Sequence, residues 1–189
     1  MSCAQVPAST AAQQKSYVTY TAPTVLPDAP RITLLEARSL IAASGTTGLR
    51  TWEAALHLGH YLFSAEGRQL INGRIILELG AGTGFLSVLC AKYLGASYVM
   101  ATDGSEGVIE DLASNLYLNG IEGSDGIGKS VLKWGHSLVN SIIADPECPH
   151  RYDLVLGADV VGESECEFLQ CSRNQSEVFF PTTSFSFNQ

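Results

Sequence analysis

Ten consecutive residues near the middle of the chain, Ile75-Ile76-Leu77-Glu78-Leu79-Gly80-Ala81-Gly82-Thr83-Gly84, restrict the fold more than any others. The stretch opens as a short apolar run rich in branched side chains, the pattern of a parallel strand buried on both faces. It breaks into three glycines at alternating positions, and Phe85, Leu86, Val88 and Leu89 then follow with helical spacing. Strand, glycine turn and helix in that order make the first βα unit of a doubly wound sheet, whose ligand lies at the carboxyl end of the strands. Without Cβ atoms, the glycines let the backbone adopt positive φ and let a ligand lie directly against it.

The glycine spacing narrows the ligand. A dinucleotide fingerprint has the form G-x-G-x-x-G. Counted from Gly80, its third glycine would fall on Phe85. What stands here is an acid, Glu78, followed by G-x-G-x-G. A pyrophosphate favours a helix N-terminus free of nearby negative charge, whereas a carboxyl at the strand end suits a cationic or amino-bearing ligand. S-adenosylmethionine, with its amino-acid tail, sulfonium and adenosine, fits that description. A nicotinamide-dependent oxidoreductase is the reading Phe85 disfavours.

Length and charge bound the alternatives. The 189 residues suit one domain, and 46% hydrophobic residues supply a core. A formal net charge of −8 argues against a nonspecific grip on nucleic acid. Cys3, Cys90, Cys148, Cys166 and Cys171 show neither a CxxC nor paired metal spacing, so no metal is expected. They read as reduced thiols of a cytoplasmic protein. No run has the length of a membrane span and no signal peptide is evident, so no membrane is expected as a partner.

In chain order, residues 1–31 are rich in Ala, Ser, Thr, Pro and Gln and read as a flexible leader, with a short edge strand possible over 17–20. Leu34, Ala37 and Ile41 carry helical spacing across 32–43. Thr51 is placed to cap a helix that presents Trp52, Ala55, Leu56, Gly59 and Leu62 on one face. Trp52 either packs that helix or closes the pocket. A second strand, 98–103, ends on Asp103, at the distance from the glycine turn where an acid holds a ribose in doubly wound folds. A helix over Val108, Ile109, Leu112 and Leu116 follows, then a glycine-rich loop over 120–128 and a third strand over 130–134. Trp134, at its end, either lies against an adenine ring or packs an edge. A short helix over 138–144 and a fourth strand over 152–157 lead to Ala158 and Asp159. With strands numbered in this order, the expected sheet runs 3-2-1-4.

Five stretches together resemble the family 16 branch of the seven-strand S-adenosylmethionine-dependent methyltransferases, which act on protein lysines. They are residues 46–55 (Thr-Thr-Gly-Leu-Arg-Thr-Trp-Glu-Ala-Ala), 77–84, 102–105 (Thr-Asp-Gly-Ser), 134–135 (Trp-Gly) and 156–160 (Leu-Gly-Ala-Asp-Val). The resemblance is strongest to the fungal members that methylate elongation factor 2, and covers roughly 32–160. It implies a Rossmann-like α/β fold, S-adenosyl-L-methionine as cofactor and a monomer with elongation factor 2 as its protein substrate. It also implies roles for particular residues. Glu78, Gly80, Ala81, Gly82 and Gly84 would cradle the methionine end, and Asp103 would hold the ribose. Trp52 and Trp134 would line the adenosine site, Ala158 would touch the cofactor through its backbone, and Asp159 would stand at the catalytic face.

Beyond Val160 the pattern departs. The aromatic residue that the family carries three places after Asp159 is Gly162 here. Five of the seven phenylalanines fall in 161–189, which shows no βαβ rhythm. That stretch reads as an unrelated, disordered tail, the product of truncation or of an unspliced gene model. The methyltransferase domain over 32–160 is then incomplete, with its fourth strand left as an open edge. The resulting expectation is a methyltransferase with weak or absent activity; the alternative is a cofactor-binding or interaction module without catalysis.

Overall fold

A computed structural model of the chain describes residues 14–22, 29–37, 46–133 and 152–160, together with the backbone of 177–179. Its elements are β1 (Ser16–Thr21), β2 (Arg31–Glu36), α1 (Glu53–Leu62), α2 (Ala65–Ile71), β3 (Ile75–Leu79), α3 (Phe85–Tyr93), β4 (Tyr98–Asp103), α4 (Glu106–Leu118), β5 (Ile127–Val131), β6 (Leu154–Gly157) and β7 (Glu177–Phe179). Strands β3 to β7 form one sheet in the order β5-β4-β3-β6-β7, with every pair parallel. The first four of these in chain order are the predicted 3-2-1-4 arrangement, and the fold is a Rossmann-like α/β sheet.

The central strand β3 shows why this sheet is buried on both faces. Side chains alternate across a strand. Ile76 enters the larger core with Leu86, Leu89, Val99, Leu112 and Leu154, while Leu77 and Leu79 join Met100 and Leu132 in a second cluster. Glu78 therefore shares the face of Ile76, the side on which α3 packs. Register in the parallel ladder, with Leu79 opposite both Thr102 and Gly157, brings the carboxyl ends of β3, β4 and β6 level. The residues just beyond those ends form one rim.

Four expectations from the sequence need correction. The first is the helical pattern over 32–43: residues 31–36 are the strand β2, antiparallel to β1 in a separate two-stranded sheet. Ile32, Leu34 and Glu36 alternate inward, so the period of two prevails. The buried carboxyl of Glu36 disguises that alternation, because the third inward position is charged. The second is the boundary at 31/32, which cuts through β2; within the segment read as a flexible leader, the short edge strand considered over 17–20 is β1. The third is the glycine-rich loop and the third strand, which runs over 127–131 rather than 130–134; Gly128 is part of it, opposite Met100. Trp134 and the helix expected over 138–144 lie outside the described residues.

The fourth correction concerns the edge of β6. Within the stretch read as an unrelated tail, the backbone of Glu177–Phe179 pairs parallel to β6, with Leu154 opposite Glu177 and Leu156 opposite Phe179. Parallel pairing needs only backbone groups in register. The absence of a βαβ sequence rhythm therefore did not reveal it.

The turn between β3 and α3 is held in part by a steric fit. Gly84 has φ +85°, and a Cβ there would collide with Leu112 Cδ1 of α4. Gly73 also has positive φ, +72°, but faces open space. Gly84→Ala should destabilise the protein by about 2–4 kcal/mol, the left-handed backbone cost plus overpacking. Gly73→Ala should cost only the backbone part, about 1–2 kcal/mol. Urea unfolding of the two variants measures the difference, and equal losses would show that Leu112 makes room.

Candidate functional site

All three glycines after β3 take up the conformation their lack of a side chain permits, with φ of +64° at Gly80, +52° at Gly82 and +85° at Gly84. The turn is laced to its neighbours through the backbone. Ala81 N–H donates to the Thr102 carbonyl at 2.8 Å, and Gly84 N–H donates to the Ala81 carbonyl at 2.8 Å. A Cβ on Gly82 would lie 3.5 Å from both Cα and O of Gly48, so the 46–50 segment rests backbone to backbone on the turn.

Asp103, at the end of β4, ties this turn to the next. One carboxyl oxygen accepts the Gly82 N–H at 3.1 Å and the other accepts the Ser105 N–H at 3.0 Å. Each oxygen has a second lone pair, and both belong to a residue that lines the cleft. The carboxyl is thereby fixed in orientation while keeping acceptor capacity for ligand hydroxyls.

Glu78 is buried in β3, two residues before Gly80. Its carboxyl accepts the hydroxyl of Ser87 and also a backbone hydrogen bond from Ser87, in the first turn of α3. The acid thus closes the helix N-terminus, where unpaired N–H groups would otherwise draw an anion. Burial raises its pKa from the usual 4.5 to about 7, against the opposing pull of the Ser87 bonds. A pyrophosphate meets an occupied helix end here, which is the structural counterpart of the missing third glycine.

The cleft above these groups holds about 810 Å³. The glycine turn forms its floor, and the 46–52 segment, Asp103 to Glu106, Leu132 with Lys133, and Ala158 to Val160 form its walls. Asp103, Glu106 and Asp159 line it against Arg50 and Lys133, an acidic balance that favours a cationic ligand. Trp52 is half-buried at the rim. It precedes α1 as the N-cap, donates its indole N–H to the Thr47 carbonyl at 3.0 Å, and carries the Arg50 guanidinium 4.5 Å above its ring. Asp159 is exposed at the mouth and has φ +57°, a left-handed conformation that Asp tolerates better than most residues.

Of the residues singled out from sequence, Trp52, Glu78, Gly80, Ala81, Gly82, Asp103, Ala158 and Asp159 meet in this cleft. Gly84 does not line it; it sits against Leu112 and shapes the turn from behind. Trp134 falls outside the described residues. Thr51 does not cap α1, because its hydroxyl donates to Glu36 at 2.5 Å and lies 2.7 Å from the hydroxyl of Thr83. Sequence reasoning missed Thr83, Gly48, Arg50 and Lys133 as lining residues. Gly48 carried a signal, as a glycine within a matched stretch, whereas Lys133 has none beyond its position after a strand.

A model of the lysine methyltransferase family matches residues 38–170. The chain belongs to that family. It is 53% identical over 152 residues to protein-lysine N-methyltransferase EFM3 of Chaetomium thermophilum, a match covering 79% of this chain and 45% of that protein. The EFM3 of Saccharomyces cerevisiae is 36% identical, covering 69% of this chain and 40% of its own length. Human protein-lysine N-methyltransferase EEF2KMT is 30% identical, covering 72% and 42%. The chain spans less than half the length of these relatives. Methyltransferases of this family use S-adenosylmethionine.

The buried acid makes stability depend on pH. Glu78 holds its proton to about pH 7 in the folded chain and releases it at the ordinary carboxyl value when unfolded. Over that window the unfolded state binds fewer protons, so stability falls as pH rises from about 4.5 to about 7. The loss is on the order of 3 kcal/mol. Glu78→Gln, which cannot ionise, should remove this component and be the more stable form, relative to the parent, above pH 7. Denaturant unfolding of both proteins at several pH values reads the difference. Parallel pH profiles would mean that Glu78 is already ionised when folded.

Proposed function

We propose that this chain is an S-adenosylmethionine-dependent protein-lysine methyltransferase of the cytoplasm, acting as a monomer with elongation factor 2 as acceptor. The observation that carries the reading is the pairing of a glycine-rich turn with the oriented carboxyl of Asp103. The Gly82 amide and the Ser105 amide fix that carboxyl at one rim of the cleft.

The residues present fit the cofactor. The spare acceptor capacity of Asp103 suits the two hydroxyls of a ribose. Gly80, Ala81 and Gly82 line the cleft where a methionine tail would lie, and the acidic lining suits an ammonium and a sulfonium. Trp52 and Leu132, both lining the cleft, offer apolar surface for an adenine. When bound, the cofactor supplies an activated methyl on a sulfonium. The chain's own part is to orient the reactants and keep water out. A lysine must lose its proton before it can attack. Asp159, exposed at the mouth, suits holding the arriving amine in line better than removing its proton, because a nearby carboxylate favours the charged amine.

A second reading is a cofactor-binding module without catalysis. Gly162, standing where the family resemblance calls for an aromatic residue, favours it, since glycine cannot supply that aromatic side chain. The two readings share the cofactor and part at the transfer step.

Calorimetry with S-adenosylhomocysteine tests the shared part. Asp103→Ala should weaken binding by about 1.5–3 kcal/mol, the range for hydrogen bonds to a charged group. NAD should not bind. An unchanged dissociation constant would remove Asp103 from the site. Transfer of a radiolabelled methyl to elongation factor 2 then separates the readings. Asp159→Ala should reduce labelling while leaving S-adenosylhomocysteine affinity nearly unchanged, and an absence of lysine labelling by the parent chain would favour the binding module.

A further inference from the structure

Three separate contacts run from the β1–β2 hairpin to the two residues Thr83 and Phe85, at the end of the glycine turn. The hairpin lies before residue 38, where the match to the family begins, and it belongs to a different sheet from β3.

The first contact is a directed chain of hydroxyls. Glu36, buried at the end of β2, accepts the Thr51 hydroxyl proton at 2.5 Å. A threonine hydroxyl has one proton, so in the 2.7 Å contact between Thr51 and Thr83 the donor is Thr83. The second contact fixes the backbone of the same residue. The Asn115 side chain donates to the Thr83 carbonyl at 2.9 Å and accepts the Leu35 N–H of β2 at 2.8 Å. The third is apolar. Tyr20 of β1 presents its ring edge-on to Phe85, with centroids 5.3 Å apart, while its hydroxyl donates to the Glu36 carboxyl at 3.2 Å. Thr83 is thus held at its side chain by Thr51 and at its carbonyl by Asn115, each bonded in turn to β2, and Phe85 is held at its ring by β1 directly.

A turn built on three positive-φ glycines has little conformational preference of its own and must be ordered from outside. We propose that the hairpin is the positioning element of the glycine turn, with Glu36 and Asn115 as positioning residues that act on cofactor affinity without touching cofactor. The affinity part of this inference rests on reading the cleft as a cofactor site; the hold on the turn does not. Neither Glu36 nor Asn115 lines the cleft, and both are about 1% exposed. Substituting them cannot act by removing a ligand contact.

The test uses the full chain. Amide hydrogen exchange is followed at Gly82 and Gly84, whose N–H groups bond to Asp103 and Ala81, with Val99 of the central sheet as reference. Glu36→Leu and Asn115→Ala should each speed exchange at Gly82 and Gly84 by about tenfold or more relative to Val99, as expected for local opening. Glu36→Gln retains an acceptor for Thr51 and should stay near the parent rate. Thr51→Val against Thr51→Ser repeats the comparison by removing or keeping one hydroxyl, should the Glu36→Leu chain fail to fold. Glu36→Leu and Asn115→Ala should also bind S-adenosylhomocysteine about tenfold more weakly, one broken hydrogen bond's worth. Exchange that stays unchanged, or that rises equally at Val99, overturns the proposal, because the hairpin would then contribute only general stability. A loosened turn with unchanged affinity overturns the positioning role. A parent chain that binds no S-adenosylhomocysteine, yet shows the selective exchange, refutes the cofactor reading and supports the hairpin's hold on the turn.

Discussion

The cleft depends on one carboxyl making two backbone contacts. Asp103 reaches from the end of β4 to the Gly82 amide in the turn after β3, and turns its other oxygen to the Ser105 amide. Adjacent parallel strands fix how far apart their ends lie but not how the loops beyond them are disposed. This bridge joins two such loops. It requires Gly82 in the left-handed region with its N–H pointing sideways, and Asp103 at the last position of its strand. It also requires the register that sets Leu79 against Thr102. Move any one by a residue and the acceptor no longer faces the donor.

Glu78 completes the arrangement from below. A carboxyl at this depth is costly unless it is neutral or well bonded. The chain uses both remedies, a raised pKa and the Ser87 bonds at the head of α3. The helix end is then no longer available to a phosphate. The choice between a dinucleotide and an amino-bearing ligand is therefore made by a buried group as much as by the glycine spacing.

Much of this was readable in the residues, for a physical reason. Parallel strands buried on both faces leave long apolar signatures, as at 75–79 and 98–103, and ligands in such sheets collect at one end of the strands. The glycine turn, Asp103 and Asp159 could therefore be placed together before any coordinates. The second strand of the hairpin was illegible because its third inward residue, Glu36, is charged. The burial of that residue is explained by partners from elsewhere, Tyr20 and Thr51, which sequence spacing does not connect. Thr51 was misplaced for the same reason. A threonine before a helix suits a cap, but a buried carboxyl competes for its hydroxyl and the tertiary bond prevails. The backbone pairing of 177–179 was hidden too, since three residues in register leave no periodic pattern.

The long reach of the asparagines has a kinetic consequence. Asn115 joins Leu35 across 80 residues, and Asn119 joins Thr33 across 86. Contacts between such distant positions form slowly, because the intervening chain must be closed before they yield any stabilisation. The βα units from β3 to α4 are built from far more local contacts. A nascent chain would therefore assemble β3, β4, β5 and α4 before β1 and β2 dock, although β1 and β2 precede them in the chain. The hairpin is captured after units that follow it in the chain, and until then the glycine turn is without three of its fastenings.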